Sequence, residues 1–375
     1  MMRTVAVIIT FVFLSFNAPL NASGEELPHL DSLINTLSTL DNDTNKARVL
    51  LEIGWEYRRV DRINAIAFTE RSRELSIQVN NRKGISSSLN NLGVFYSDSG
   101  LYERSIKLTK QSLAIDKELG DSAGMVLCLL NIADDYVQMG EPNEALEYTN
   151  KALVIERLRD NIPGMAVNLF RKAKIYEDMA NFILALECYE QSLVYYEELG
   201  SEAGTSKALG NIGIMHEYNG AYDLAIKYYL KALAIAEKQL AHVELPGIEG
   251  EIEQMRFIMV NLLSSLGAVY CYLGEYDRAM GYMQWSYRLN NKYENKAGIA
   301  GSLNNMGMVL KYQGKYIEAL ESYMKSLAIS EELGDKWEIA GIYNNIAVVY
   351  YEKGDNMDMV KEYLDGLATK NRTIS

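Results

Sequence analysis

The chain has 375 residues, 48% of them hydrophobic and 23% charged, with a formal net charge of −13. It can bury a large core, and an acidic chain without a basic stripe does not track a phosphate backbone, so nucleic acid is excluded as the expected partner. Five prolines, and no alternating Val/Ile/Thr-rich runs closed by Asn-Gly or Asp-Gly, favour long helices over strands.

The N-terminal stretch MMRTVAVIITFVFLSFNAPLNASGEE stands apart. Arg3 precedes an apolar run from Thr4 to Phe16, and small residues follow around Ala22–Ser23. This is the pattern of a secretory signal peptide over residues 1–22. The run is shorter than the roughly 20 apolar residues of a membrane span. An exported protein, periplasmic or extracellular, is therefore expected, with an uncleaved membrane anchor as the alternative. Residues 23–45 follow as a linker and a capping helix, HLDSLINTLSTL at 29–40, over the open end of what comes next.

From residue 46 the sequence repeats. The small residue of NLG at Gly93 recurs as Ala133, Ala173, Gly213, Gly267, Gly307 and Ala347, in steps of 40 except for one of 54. Seven residues after each lies a turn position: Gly100, Gly140, Ala180, Gly220, Gly274, Gly314 and Gly354. Five further on comes a second small position, at Ser105, Ala145, Ala185, Ala225, Ala279 and Ala319. Each unit reads as two helices. Leu89, Leu92, Gly93 and Tyr96 share one face, Gly100 ends that helix, and a second helix runs from Tyr102 to Leu119 before Gly120 stops it. Asp121 or Ser122 can cap the next helix. The units fall near 46–84, 85–124, 125–164, 165–204, 205–238, 257–298, 299–338 and 339–375, with an insertion at 239–256. The insertion carries Pro246, Gly247 and Gly250 and predicts a lengthened helix, a loop and an early start to the next helix.

The runs NLGVFY, NIADDY, KAKIY, NIGIMHEY, SLGAVY, NMGMVL and NIAVVY, followed by ALEYTNKAL, ALECYEQSL, AIKYYLKAL and ALESYMKSL, resemble the tetratricopeptide repeat in a forty-residue form. HEAT repeats have a similar period, but the Gly/Ala–Tyr–Gly–Ala columns favour the tetratricopeptide repeat. The resemblance covers roughly 46–370 and implies an all-α fold: a right-handed α-solenoid of about eight tetratricopeptide helix pairs, with first helices lining a concave groove.

On a helical wheel, Asn90, Asn91, Val94, Ser97 and Asp98 lie opposite the apolar arc. Aligned by repeat, the column of Asn91 reads Asn91, Asn131, Arg171, Asn211, Ser265, Asn305 and Asn345. The column before it holds Asn90, Asn304 and Asn344, interrupted by Leu130, Phe170, Gly210 and Ser264. An Asn amide has two donors and an acceptor. A row of them can pair with the backbone of a bound peptide whatever its side chains, as the resemblance also implies. Alternatively, each amide bonds the preceding turn or the adjacent repeat and only fixes packing. Arg171 and Lys174 share this arc and Lys207 follows one repeat later, a group suited to a partner's carboxylate. The alternative for these cations is internal pairing with Glu177, Asp178 or Glu217.

His29, His216 and His242 are isolated, and Cys128, Cys188 and Cys271 have no metal-like spacing, so no catalytic site, metal or cofactor is expected. The thiols read as small buried hydrophobes. The eighth unit, with Met359 in its small column and Gly366 in its second helix, has no polar cap, so the natural chain is expected to continue or this end to pack on a partner or a second copy. The expected function is a non-enzymatic scaffold that binds a peptide or protein segment in the groove. The alternative is the N-terminal sensory or oligomerisation part of a membrane-associated bacterial signalling protein.

Overall fold

The computed structural model describes residues 28–58, 60–241 and 249–353. The expected signal peptide at 1–22, residues 242–248 of the insertion, and Met359 and Gly366 lie outside the described residues. Among the described residues there are sixteen α-helices and no strand. Helix α1 (Pro28–Thr39) precedes the pairs α2 (Thr44–Tyr57) with α3 (Arg62–Gln78), α4 (Arg82–Ser97) with α5 (Tyr102–Leu119), and α6 (Ser122–Gln138) with α7 (Pro142–Leu158). Next come α8 (Ile162–Asp178) with α9 (Phe182–Glu198), and α10 (Glu202–Tyr218) with α11 (Tyr222–Ala241). The last full pairs are α12 (Glu249–Tyr272) with α13 (Tyr276–Lys292) and α14 (Lys296–Tyr312) with α15 (Tyr316–Leu333), and α16 (Lys336–Lys353) opens another. The chain divides into two compact units, 1–159 with α1–α7 and 160–375 with α8–α16.

Left-handed turns set the period. Gly100 (φ 72°) lies between the helices of one pair and Gly120 (φ 67°) lies between pairs, conformations that cost glycine little. At the equivalent turn after α8, Ala180 adopts φ 55° with a side chain present. Four of the new pairs start on the same side-chain cap. Asn81, Asp121, Ser201 and Asn295 accept the backbone N–H of Gly84, Gly124, Gly204 and Gly298. Those glycines leave room for the preceding helix: a Cβ on Gly124 would meet Asp116 Oδ2 at 2.5 Å, and one on Gly204 would strike the Tyr196 ring.

Within a pair the small column permits close approach. A Cβ on Gly213 would meet the Tyr229 ring at 2.6 Å, and one on Gly307 the Tyr323 ring at 2.7 Å; both tyrosines are fully buried. One hydrogen bond recurs at this seam. Ser72 donates to Ala47 O (2.6 Å), Ser112 to Ser86 O (2.8 Å), Ser192 to Ala166 O (2.8 Å) and Ser326 to Ala300 O (2.7 Å), each from the second helix to the first. Ser206 makes it in the opposite sense, to Ala232 O (2.9 Å).

First helices also meet across neighbouring pairs. α2 touches α4 and α4 touches α6 in the first unit, and α10, α12, α14 and α16 touch in sequence in the second. Second helices show no comparable contacts with each other among the described residues. First helices therefore form the inner wall of each unit. α1 covers the N-terminal end, packing Leu30 on Val49 and Ile53 of α2.

The insertion lengthens both flanking helices: α11 has 20 residues and α12 has 24, against 17 in α10 and α13. By length and composition Ile252–Tyr272 could cross a membrane, but 61% of its apolar window is buried. Leu262, Leu263, Leu266 and Val269 there form the core between α11 and α13.

Two glycine substitutions separate packing from propensity. Gly124→Ala is expected to cost about 1–3 kcal/mol, because Asp116 is held by Ser86 and cannot retreat. Gly281→Ala, exposed in α13 with open space around it, is expected to gain about 0.5–1 kcal/mol. Urea unfolding of both variants checks the contrast.

Candidate functional site

All the sequence-derived candidates lie on first helices: Asn90 and Asn91 on α4, Asn131 on α6, Arg171 and Lys174 on α8, Lys207 and Asn211 on α10, Asn304 and Asn305 on α14, Asn344 and Asn345 on α16. They are not equivalent. Asn131 Nδ2 donates to Asn90 Oδ1 at 2.9 Å, and Asn345 Nδ2 donates to Asn304 Oδ1 at 2.9 Å. Asn90 is buried, whereas Asn131, Asn304 and Asn345 are half-buried. Asn211 is buried and donates to Lys207 O, one turn back, at 2.8 Å. Asn91 and Asn305 are half-buried and Asn344 exposed, and none of the three makes a side-chain hydrogen bond among the described residues.

A simple rule sorts them. A second-column Asn is bridged where the first-column residue of the preceding repeat is also Asn, as in Asn90 to Asn131 and Asn304 to Asn345. Asn91, Asn211 and Asn305 follow Leu50, Phe170 and Ser264 in that position, and none of them is bridged. The adjacent-repeat reading thus describes one pair in each unit, the preceding-turn reading describes Asn211, and the rest of the row is open.

Behind Asn90 lies a buried polar cluster. Ser86 donates to Asp116 Oδ1 (2.5 Å), and the Cys128 thiol faces Asn90 Oδ1 (3.7 Å), Ser112 Oγ (3.3 Å) and Asp116 Oδ2 (3.5 Å). Burial, opposed by the Ser112 bond and aided by Asp116, pushes the Cys128 pKa up to about 12, so the group stays a protonated donor. The other two cysteines are buried as well.

The cations also divide. Lys174 Nζ pairs with Glu177 Oε1 at 3.1 Å, and Glu177 accepts the Tyr189 hydroxyl at 2.7 Å. Glu217 instead accepts Tyr229 Oη at 2.7 Å. Lys207 makes no ion pair among the described residues; its ammonium lies 4.6 Å from the centroid of the Phe170 ring. Its side chain reaches solvent, yet desolvation along the wall, followed by repulsion from Arg171 and Lys174, holds its pKa below the usual lysine value. The 160–375 unit therefore sets Lys207 on an aromatic floor beside Arg171 and the Glu177-paired Lys174.

Two features were not anticipated. Phe170, which interrupts the first column, supplies that floor. Asp135 of α6 is fully buried, with neither carboxylate oxygen hydrogen-bonded among the described residues. Column alignment reveals it, because the other repeats have Phe95, Ile175, Met215, Val269, Val309 and Val349 there. Burial raises its pKa; Ser105 and Ser97, facing it outside hydrogen-bonding geometry, draw it back, and Asp134 and Asp98 raise it again. Among the described residues no group of three His, Cys, Asp or Glu side chains is placed to hold a metal ion.

Asp135 makes stability depend on pH. An unfolded Asp ionises near pH 4, and the folded carboxyl ionises above that. Below both values it is neutral in each state and carries no ionisation penalty; as pH rises the unfolded chain releases its proton first, and stability falls until the folded group ionises too. Asp135→Val is expected to gain about 1–3 kcal/mol at pH 7 and less at pH 3.5. An equal gain at both pH values in urea unfolding would show that side-chain volume, not charge, is responsible.

A family model described as tetratricopeptide repeat matches residues 84–155, 165–238 and 298–356. No curated protein sequence matches the chain. Solved structures of similar fold include the apo form of RapI, at 16% identity and TM-score 0.57 over 77% of this chain and 99% of that one. The apo quorum sensor NprR from B. thuringiensis matches at 16% identity and TM-score 0.57 over 91% of this chain and 97% of its own. Aspartyl phosphate phosphatase F from Bacillus subtilis matches at 14% identity and TM-score 0.55 over 76% and 70%. At these identities the likeness establishes the fold.

Proposed function

The chain belongs to the tetratricopeptide repeat family, and on that premise we propose that it is a non-enzymatic scaffold holding a peptide or protein segment against the inner wall of its first helices. The observation that carries this reading is Lys207, an ammonium without an ion pair among the described residues, set over Phe170 beside Arg171 and Lys174. A carboxylate of the bound segment would relieve the mutual repulsion there, and the aromatic ring would cover an adjoining apolar side chain. In the same unit Asn305 adds an amide able to meet a peptide backbone, and Asn91 offers another in the first unit. The likeness to a protein named as a quorum sensor, across almost its whole length, supports a recognition role. The same proposal places the protein outside the cytoplasm, on the strength of Arg3 and the apolar run Thr4–Phe16.

Panning a random peptide library on the purified protein tests this. Recovered peptides are expected to be enriched in Asp and Glu, and Arg171→Glu with Lys207→Glu should weaken them by about tenfold or more while circular dichroism stays unchanged. No recovery above background, or binding indifferent to both charge reversals, overturns the reading.

A further inference from the structure

The two bridged amides have a chemical consequence. An Asn side chain is planar, with its oxygen and nitrogen on opposite sides of Cγ, so aiming one at a neighbour aims the other away. Asn131 and Asn345 each turn Nδ2 toward the preceding repeat, with the same 2.9 Å bond at the same sequence separation of 41. Their oxygens then face away from the bridge, on side chains that remain half-exposed. At the first bridge the Cys128 thiol also lies 3.7 Å from Asn90 Oδ1. The thiol's single proton has nearer acceptors in Ser112 and Asp116, so its contact is consistent with Asn90 presenting oxygen, and the 2.9 Å bond from Asn131 carries the assignment.

We propose that Asn90 and Asn304 are positioning residues, which by accepting one N–H from Asn131 and Asn345 hold the carbonyl oxygens of those residues toward the open side of the wall, as fixed acceptors for backbone N–H donors of the bound segment. This rests on the peptide-binding reading above and deepens it. The wall then carries two kinds of amide. Those at Asn91 and Asn305 have no side-chain hydrogen bond among the described residues and can donate or accept, whereas those at Asn131 and Asn345 are set in advance and lose less entropy on binding. The two fixed acceptors belong to different units, so each is a local element of recognition in its own right.

Two measurements on the full chain test the proposal. The first needs no ligand: the Asn131 side-chain amide protons, followed by NMR, are expected to be protected from solvent exchange in the native protein and unprotected in Asn90→Leu, while Asn90→Asp, which keeps an acceptor, retains protection. The second uses a peptide recovered from the library. Asn131→Ala and Asn90→Leu should each weaken it about five-fold, Asn90→Asp should bind within two-fold of the native protein, and Asn90→Leu combined with Asn131→Ala should be no weaker than Asn131→Ala alone. N-methylation of one peptide nitrogen should reproduce the loss and then be insensitive to Asn131→Ala. If Asn90→Leu binds normally while Asn131→Ala does not, or if Asn90→Asp is as poor as Asn90→Leu, the positioning role is overturned and the wall reading stands. An unprotected Asn131 amide in the native protein also overturns it. Binding unaffected by alanine at Asn91, Asn131, Asn305 and Asn345 together overturns the wall reading and this inference with it.

Discussion

The closeness of the two helices in each pair governs the molecule. Where Gly213 meets the Tyr229 ring or Gly307 the Tyr323 ring, no side chain separates the first helix from a fully buried aromatic of the second. The seam is locked by a serine hydroxyl on a carbonyl, repeated from Ser72 to Ser326. Such a contact fixes the rotation of the first helix about its own axis as well as its distance. A helix free to rotate by one residue would carry its outward row off the wall by about 100°. The alignment of amides in successive repeats is thus a product of the core, not of the surface that displays them.

The same core tolerates polar groups where it can pair them. Asp116 is buried but surrounded by Ser86, Ser112 and Cys128, and Gly124 gives it space. Tyr189 and Tyr229 are buried with their hydroxyls on Glu177 and Glu217. Asp135 breaks the pattern by putting a carboxylate in an apolar column without a hydrogen bond among the described residues. A solenoid absorbs such a defect locally, since each repeat contacts only its neighbours and its cost is not shared by distant repeats.

Much of the architecture was legible in the sequence because it rests on glycine and on period. Gly100 and Gly120 needed left-handed backbone and adopt it, and the second helix of that pair spans the expected Tyr102–Leu119. The use made of the wall residues was less legible, because a helical wheel assigns a face but not a partner. It puts Asn90 and Asn91 side by side on one arc, whereas the structure buries Asn90 against the next repeat and leaves Asn91 without a side-chain hydrogen bond among the described residues. For Lys174 the internal pairing with Glu177 was one of the two readings weighed, while Lys207 finds an aromatic ring that no charge-pairing argument would propose. Asp135 escaped because a single acidic residue in an acidic chain carries no signal until its column is read down the array.

The bridge between neighbouring asparagines also makes the order of the repeats carry information. One half of each bridge is contributed by one repeat and the other half by its successor, as Asn90 to Asn131 and Asn304 to Asn345 show. Exchanging two repeats, each still well folded, would break one bridge or create another without altering any residue. Tandem copies of the Lys296–Leu333 repeat, with its adjacent Asn304 and Asn305, would form an unbroken chain of held amides. Duplication and shuffling, the ordinary route by which such arrays grow, would therefore rewrite recognition by rearrangement alone.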